Sequence, residues 1–190
     1  MNSAAPAHDR PPRQGRIHVC PLSAVPRVVA GCSASHLLTC LQDEILVETP
    51  ALIQPDRHIR LHVHDIAAPM LGYVAPDERH MAKVIEFAHL WNGVGPMVIH
   101  CWAGISRSTA AAFVSLCALN PDASELTIAH RLRDASTTAQ PNRLMVRLGD
   151  AALARSGRMV AAVDAIGRGV AAFEAQPFSL PVEMSGLRGA

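Results

Sequence analysis

Cys101 and Arg107 are the two residues best suited to chemistry, because five residues separate them in the stretch VIHCWAGISRST. An apolar run, residues 96–99, stops at His100 and Cys101, and a mostly apolar segment begins at Ser106 or Arg107. A buried strand that gives way to a helix through a tight polar loop fits this pattern. The first amides of a helix are unpaired and carry partial positive charge, so a loop feeding a helix start is a ready anion cradle.

The loop residues divide the work of such a cradle. Trp102, Ala103, Gly104, Ile105, Ser106 and Arg107 supply successive backbone amides for a phosphate-like dianion. Gly104 lowers the steric cost where the chain turns sharply. The guanidinium of Arg107 can hold two oxygens at once, a geometry lysine lacks. At the other end, the thiol of Cys101 shares the positive environment, so its pKa is expected to fall below the free value of about 8.5. A thiolate beneath a bound phosphoryl group is a nucleophile aimed at phosphorus. Ser108 is placed to hydrogen-bond that thiolate and improve it as a leaving group, Ser106 to hold the loop, and His100 to orient the cysteine through its backbone or ring. Taken singly, each residue has an ordinary reading: core cysteine, surface arginine, helix-capping serine. The combination and its context make it specific.

HCWAGISRS resembles the signature loop of the cysteine-dependent protein tyrosine phosphatases, and its AG-x-SRS core is most similar to the dual-specificity branch and related small bacterial phosphatases. The wider pattern WAGISRSTAAAF…LR…PN, with QPN at 140–142, resembles a group of predicted bacterial tyrosine phosphatases. The resemblance covers about residues 16–165, strongly at the loop and loosely elsewhere. It implies a two-step reaction through a phosphocysteine on Cys101, with Arg107 and the loop amides stabilising the transition state and no metal or cofactor. It also implies a general acid some thirty-odd residues upstream, just after a strand. Asp65 ends the alternating run HIRLHVHDI and lies 36 positions before Cys101. Asp77 lies 24 positions before it, where a helix cap is expected.

Substrate hints are modest. In this family, lysines inside the loop favour highly charged lipid or inositol phosphates, and Trp102, Ala103 and Ile105 add no charge. With one tyrosine, two tryptophans and four phenylalanines, the chain has few aromatics to wall a deep pocket. A shallow cleft for a phosphorylated protein or small phosphomonoester is expected, taking phosphotyrosine and also phosphoserine or phosphothreonine.

Other readings compete. A rhodanese-type sulfurtransferase uses a cysteine loop after a strand but usually lacks the Cys-five-Arg-Ser pattern. Low-molecular-weight phosphatases and arsenate reductases place the loop near the N-terminus and the aspartate late, the reverse of the order here. A phosphoprotein-binding module on an inactive phosphatase scaffold would lose Cys, Arg or the acid. His62, His64 and Asp65 also look like metal ligands, yet Asp65 falls on the opposite face if the strand continues, and no third nearby ligand is evident.

The elements that must position these groups follow from patterning. Strands are expected at 17–20, 35–41, 58–66 and 96–99. In 58–66, Ile59, Leu61 and Val63 face one way, and His58, Arg60, His62 and His64 the other. Helices are expected at 77–91 after Pro76, from 106 or 107 to 119, after Pro121 with Asp122 and Glu125 as a capping box, from about Asn142, and over 159–170. This order predicts a single-domain α/β sandwich with a small, mostly parallel central sheet flanked by helices. Residues 1–15 are expected as a disordered tail, 16–170 as the phosphatase domain and 171–190 as a C-terminal tail.

Composition fits this picture. The chain has 190 residues, 49% hydrophobic, 17% charged and 4% aromatic, with a formal charge of +1. That balance offers no reason to expect nucleic acid or a membrane surface as partner. Five cysteines at 20, 32, 40, 101 and 117, without a CxxC pair, suggest reduced thiols in a cytoplasmic protein rather than a disulfide framework or a zinc site. Cys117 is expected three helical turns from the loop, too far to pair with Cys101. The N-terminal stretch has prolines and charges where a signal peptide has its apolar core.

Overall fold

A computed structural model describes residues 13–45 and 47–184. Nearly all of the expected N-terminal tail lies outside the described residues. Five strands, β1 (Arg16–Pro21), β2 (His36–Leu41), β3 (His58–His62), β4 (Pro96–Cys101) and β5 (Phe178–Pro181), form one sheet in the order β3-β2-β4-β1-β5. The first four are parallel, and β5 joins antiparallel to β1. Among the described residues six α-helices flank the sheet: α1 (Val25–Cys32), α2 (Glu78–Trp91), α3 (Arg107–Leu119), α4 (Glu125–Ala135), α5 (Arg143–Ala152) and α6 (Arg158–Ala165). Among the described residues no helix is long and apolar enough to cross a membrane.

Strand alternation sorts the residues between two cores. Ile17, Val19, Leu38, Cys40, Met97, Ile99 and Cys101 face the larger one, built with α2 to α6. Cys20, Leu37 and Val98 face a smaller one, closed by Val25 and Val29 of α1 and by Ile53. Every residue of α3 is buried, which explains its apolar circumference.

Several boundaries differ from the sequence expectation. α1 was not anticipated: it is eight residues long, rich in valine and carries Pro26 in its first turn, so local preference argues weakly for a helix. β3 stops at His62 rather than running to residue 66, because the chain leaves the sheet toward Asp65. α4 is capped by Ser124, whose Oγ accepts from Thr127 N, while Glu125 turns inward to Arg155 at 3.1 Å. α6 ends at Ala165. Residues 178–181, expected within a tail, form β5, and Leu180, Val182 and Met184 are buried. β5 is an edge strand, where Pro181 costs no central ladder bond.

Candidate active site

β4 delivers Cys101 to the C-terminal edge of the sheet with only 1% of its surface exposed. The chain then turns through residues 102–106 into α3. Gly104 sits at φ +73°, and a Cβ there would lie 2.8 Å from the backbone of Cys20 and Pro21. The loop therefore lies against the end of β1, and glycine is required both by the dihedral and by the close approach.

External donors set the loop's direction. The carbonyls of Trp102, Ala103, Ile105 and Ser106 accept from the amides of Leu22 (3.0 Å), Ala175 (2.8 Å), Gln140 (2.9 Å) and Asn142 (3.3 Å). In a trans peptide the C=O and the following N–H point opposite ways. Four carbonyls drawn outward thus leave the amides of Ala103, Gly104, Ser106 and Arg107 on the inner side of the loop. Ser106 occupies the N-cap position of α3 but makes no side-chain cap, leaving the first amides of the helix available.

The side chains converge there. Cys101 Sγ lies 3.1 Å from Ser108 Oγ. Arg107, 5% exposed, donates from Nη1 to the Val63 carbonyl at 2.9 Å. Its Nε is buried without a hydrogen-bond partner among the described residues and lies 3.8 Å from Asp65 Oδ2. Asp65 Oδ1 accepts from Ser106 Oγ at 2.6 Å and Asn142 Nδ2 at 2.8 Å, and the Asp65 side chain is 38% exposed. Cys101, Arg107, Asp65, Trp102, Phe173 and Gln42 line one cleft of about 340 Å³. A neighbouring cleft of about 500 Å³ against α5 and α6 shares Asp65 and Ser106 with it.

His100 does not enter the cleft. Its side chain points to the opposite face of the sheet, where Nε2 lies 2.7 Å from Thr39 Oγ1, while Nδ1 faces the Cys101 carbonyl at 3.4 Å. Thr39 also contacts His58 Nε2 at 2.9 Å, and His58 Nδ1 meets Thr49 Oγ1 at 2.8 Å. Burial lowers the pKa of His100 to about 4, against the pull of the Cys101 carbonyl. Burial likewise lowers that of His58 to about 4, with Arg60 and His100 adding to the effect.

The remaining sequence candidates lie elsewhere. Asp77 caps α2, accepting from His80 N at 3.0 Å. His62 pairs with Asp43, and His64 Nδ1 accepts from Val74 N at 3.0 Å. Among the described residues no three His, Cys, Asp or Glu side chains cluster as metal ligands. All five thiols are free. Burial pushes Cys20 up to about 12 and holds Cys40 and Cys117 well above the ordinary thiol range, which makes these three inert.

Sequence reasoning missed several contributors. Asn142 was visible as part of QPN and as a helix start, but not as the partner of Asp65. Gln42 and Phe173 carried no signal.

No family model matches the sequence, and no curated protein matches it. Solved structures do. DUSP15 superposes with a TM-score of 0.59 at 16% identity, over 79% of this chain and 89% of its own. The human tyrosine phosphatase-like serine/threonine/tyrosine-interacting protein gives 0.57 at 19% identity, over 74% and 92%. Human DUSP28 gives 0.56 at 15% identity, over 73% and 94%. The five-stranded, mostly parallel sheet with its six helices is the fold of the dual-specificity phosphatases.

Proposed function

We propose that the chain is a phosphatase that hydrolyses phosphate monoesters, chiefly phosphotyrosine in proteins, through a phosphocysteine on Cys101. Cys101, Arg107 and Asp65 come from separate elements and line one cleft, and this convergence carries the proposal. In the first step the Cys101 thiolate attacks phosphorus and the P–O ester bond breaks. The leaving oxygen takes a proton from the Asp65 carboxyl. Oδ1 of Asp65 is occupied by Ser106 and Asn142, so Oδ2 is the oxygen suited to carry that proton. In the second step Asp65 takes a proton from water as the water oxygen attacks phosphorus. The S–P bond breaks, inorganic phosphate leaves, and Ser108 stabilises the returning thiolate. Arg107 Nε and the inward amides hold the equatorial oxygens in both steps.

Hydrolysis of p-nitrophenyl phosphate and of a phosphotyrosine peptide, measured with EDTA, tests this. Activity should survive EDTA and vanish in Cys101→Ser. Asp65→Asn should lower kcat on the peptide by about 10²–10⁴. The aryl ester with its better leaving group should suffer less. Loss of both activities with EDTA, or full activity of Cys101→Ser, would refute the proposal.

A further inference from the structure

The segment joining α6 to β5 crosses the mouth of the catalytic cleft. Arg133 fastens its start, donating to the carbonyls of Ile166, Gly167 and Arg168 at 3.0 to 3.1 Å. Val170 N then donates to the Thr137 carbonyl at 2.9 Å. Further on, Ser23 Oγ donates to Glu174 at 2.8 Å, and Ala175 N donates to the Ala103 carbonyl of the catalytic loop itself. Between these anchors stands Phe173, 87% exposed.

A single exposed apolar residue is ordinary. Phe173 differs in its location, because it lines the same cleft as Cys101 and Arg107. Trp102, 48% exposed and adjacent to the nucleophile in the chain, lines that cleft too. Phe87 and Phe113 are buried in the core and Phe178 is partly buried there, so Phe173 is the phenylalanine the fold uses least. Sequence composition suggested too few aromatics to wall the pocket; two of the seven stand at its rim.

We propose that Phe173 on this strap, together with Trp102, grips the ring of an aryl phosphate and makes Phe173 the residue that selects phosphotyrosine over phosphothreonine. The inference rests on the phosphatase reading above and assigns its selectivity to a segment outside the catalytic loop. With the phosphoryl group on the loop, an aryl ester places its ring directly above, at the level of the rim. A phosphothreonine would bring its peptide backbone there instead. Ring-to-ring contacts add about 0.5–1.5 kcal/mol beyond area burial. Backbone anchors at 170 and 175 hold the strap in place before substrate arrives, which lowers the ordering cost of that grip.

Matched phosphotyrosine and phosphothreonine peptides are the probes, used for kcat/KM in the active chain and for binding on the Cys101→Ser background. Phe173→Ala should lower the tyrosine-to-threonine ratio about tenfold in both, mostly through KM. Phe173→Leu should behave like alanine, and Phe173→Tyr should restore the ratio. Thermal unfolding should not move, since the side chain is exposed. An unchanged ratio in Phe173→Ala, or full rescue by leucine, overturns the inference while leaving the phosphatase reading intact. If the native chain hydrolyses neither peptide but Cys101→Ser binds phosphotyrosine with this dependence on Phe173, the phosphatase reading fails and the aryl grip stands. Binding of neither peptide overturns both.

Discussion

Asn142 holds Asp65 with one end of its amide and caps α5 with the other. Its Nδ2 donates to Asp65 Oδ1 at 2.8 Å, and its Oδ1 accepts from Leu144 N and Met145 N, each at 3.1 Å. The position of the candidate acid is thereby tied to the start of a helix 77 residues further along the chain. Asn142→Ala removes both roles. Loss of the cap should cost about 0.5–2 kcal/mol of stability. Asn142→Ser keeps a capping oxygen but cannot reach Asp65 in the same way. If the amide positions Asp65, serine should recover most of the stability and little of the kcat on a phosphopeptide. Chemical denaturation and steady-state kinetics on the two variants separate the roles, and full recovery of kcat by serine would exclude positioning.

Ser108 is buried and has Cys101 Sγ at 3.1 Å. A hydroxyl there stabilises the thiolate most when the S–P bond breaks, so Ser108→Ala should slow breakdown of the phosphocysteine more than its formation. A hydrogen bond to a charged group is worth about 1.5–3 kcal/mol, which corresponds to a ten- to hundredfold fall in kcat. Rapid-quench kinetics with p-nitrophenyl phosphate should then show a burst of one equivalent of p-nitrophenol followed by a slow steady rate. A slow first turnover without a burst would place Ser108 in the attack step instead.

Gly104→Ala tests the loop as a mould. Alanine at φ +73° costs about 1–2 kcal/mol from the left-handed backbone alone. Its Cβ would also lie 2.8 Å from Pro21 N and the Cys20 carbonyl carbon, which are backbone atoms with little room to yield. The loop should move away from β1, taking the inward amides with it. Loss of phosphate or vanadate binding, by calorimetry, should accompany a drop in the unfolding midpoint. Unaltered anion affinity would show that those amides do not bind the anion.

The candidate loop was legible because its residues are contiguous. An apolar run, Cys101, Gly104, Arg107 and Ser108 fall within a dozen positions, so local pattern alone brings them together. Asp65 was singled out for a different reason: the resemblance implies an acid some thirty-odd residues before the cysteine, just after a strand, and Asp65 follows the end of β3 by three residues. The amides of Leu22, Gln140 and Ala175 were not legible, because any residue but proline supplies an N–H and side-chain identity carries no trace of the role. Phe173 lay in a stretch without periodicity, where only the return of β5 to β1 reveals that the chain must cross the cleft. In α4, Asp122 and Glu125 had capping-box spacing, yet the buried Arg155 claims Glu125, and tertiary pairing overrides the local motif.

Behind the loop, the paired histidines make stability depend on pH in a definite direction. Arg60 Nη2 can only donate to Thr49 Oγ1, at 3.1 Å, and the Cys101 carbonyl can only accept from His100 Nδ1. One consistent assignment follows: Thr49 O–H donates to His58 Nδ1, His58 Nε2–H to Thr39, and Thr39 O–H to His100 Nε2. Every ring nitrogen is matched with both histidines neutral. A further proton on either ring would turn an accepting nitrogen into a donor facing a hydroxyl that already donates, inside a buried site. Both folded pKa values lie near 4, below the ordinary 6.5. The unfolded chain therefore binds protons first as pH falls. The contribution is fully present above about pH 6.5 and is lost progressively toward pH 4, with a slope of about 1.4 kcal/mol per pH unit for each histidine within that window. Urea midpoints from pH 7.5 to 4.5 should fall accordingly, and His58→Gln should reduce the slope by about half of the pair's share. An ordinary titration midpoint for either ring, read by NMR in the folded chain, would sink the assignment. Because His100 is tied to the Cys101 carbonyl, the loss of order should reach the loop that follows Cys101. Anion binding is therefore expected to decline in the same pH interval as stability.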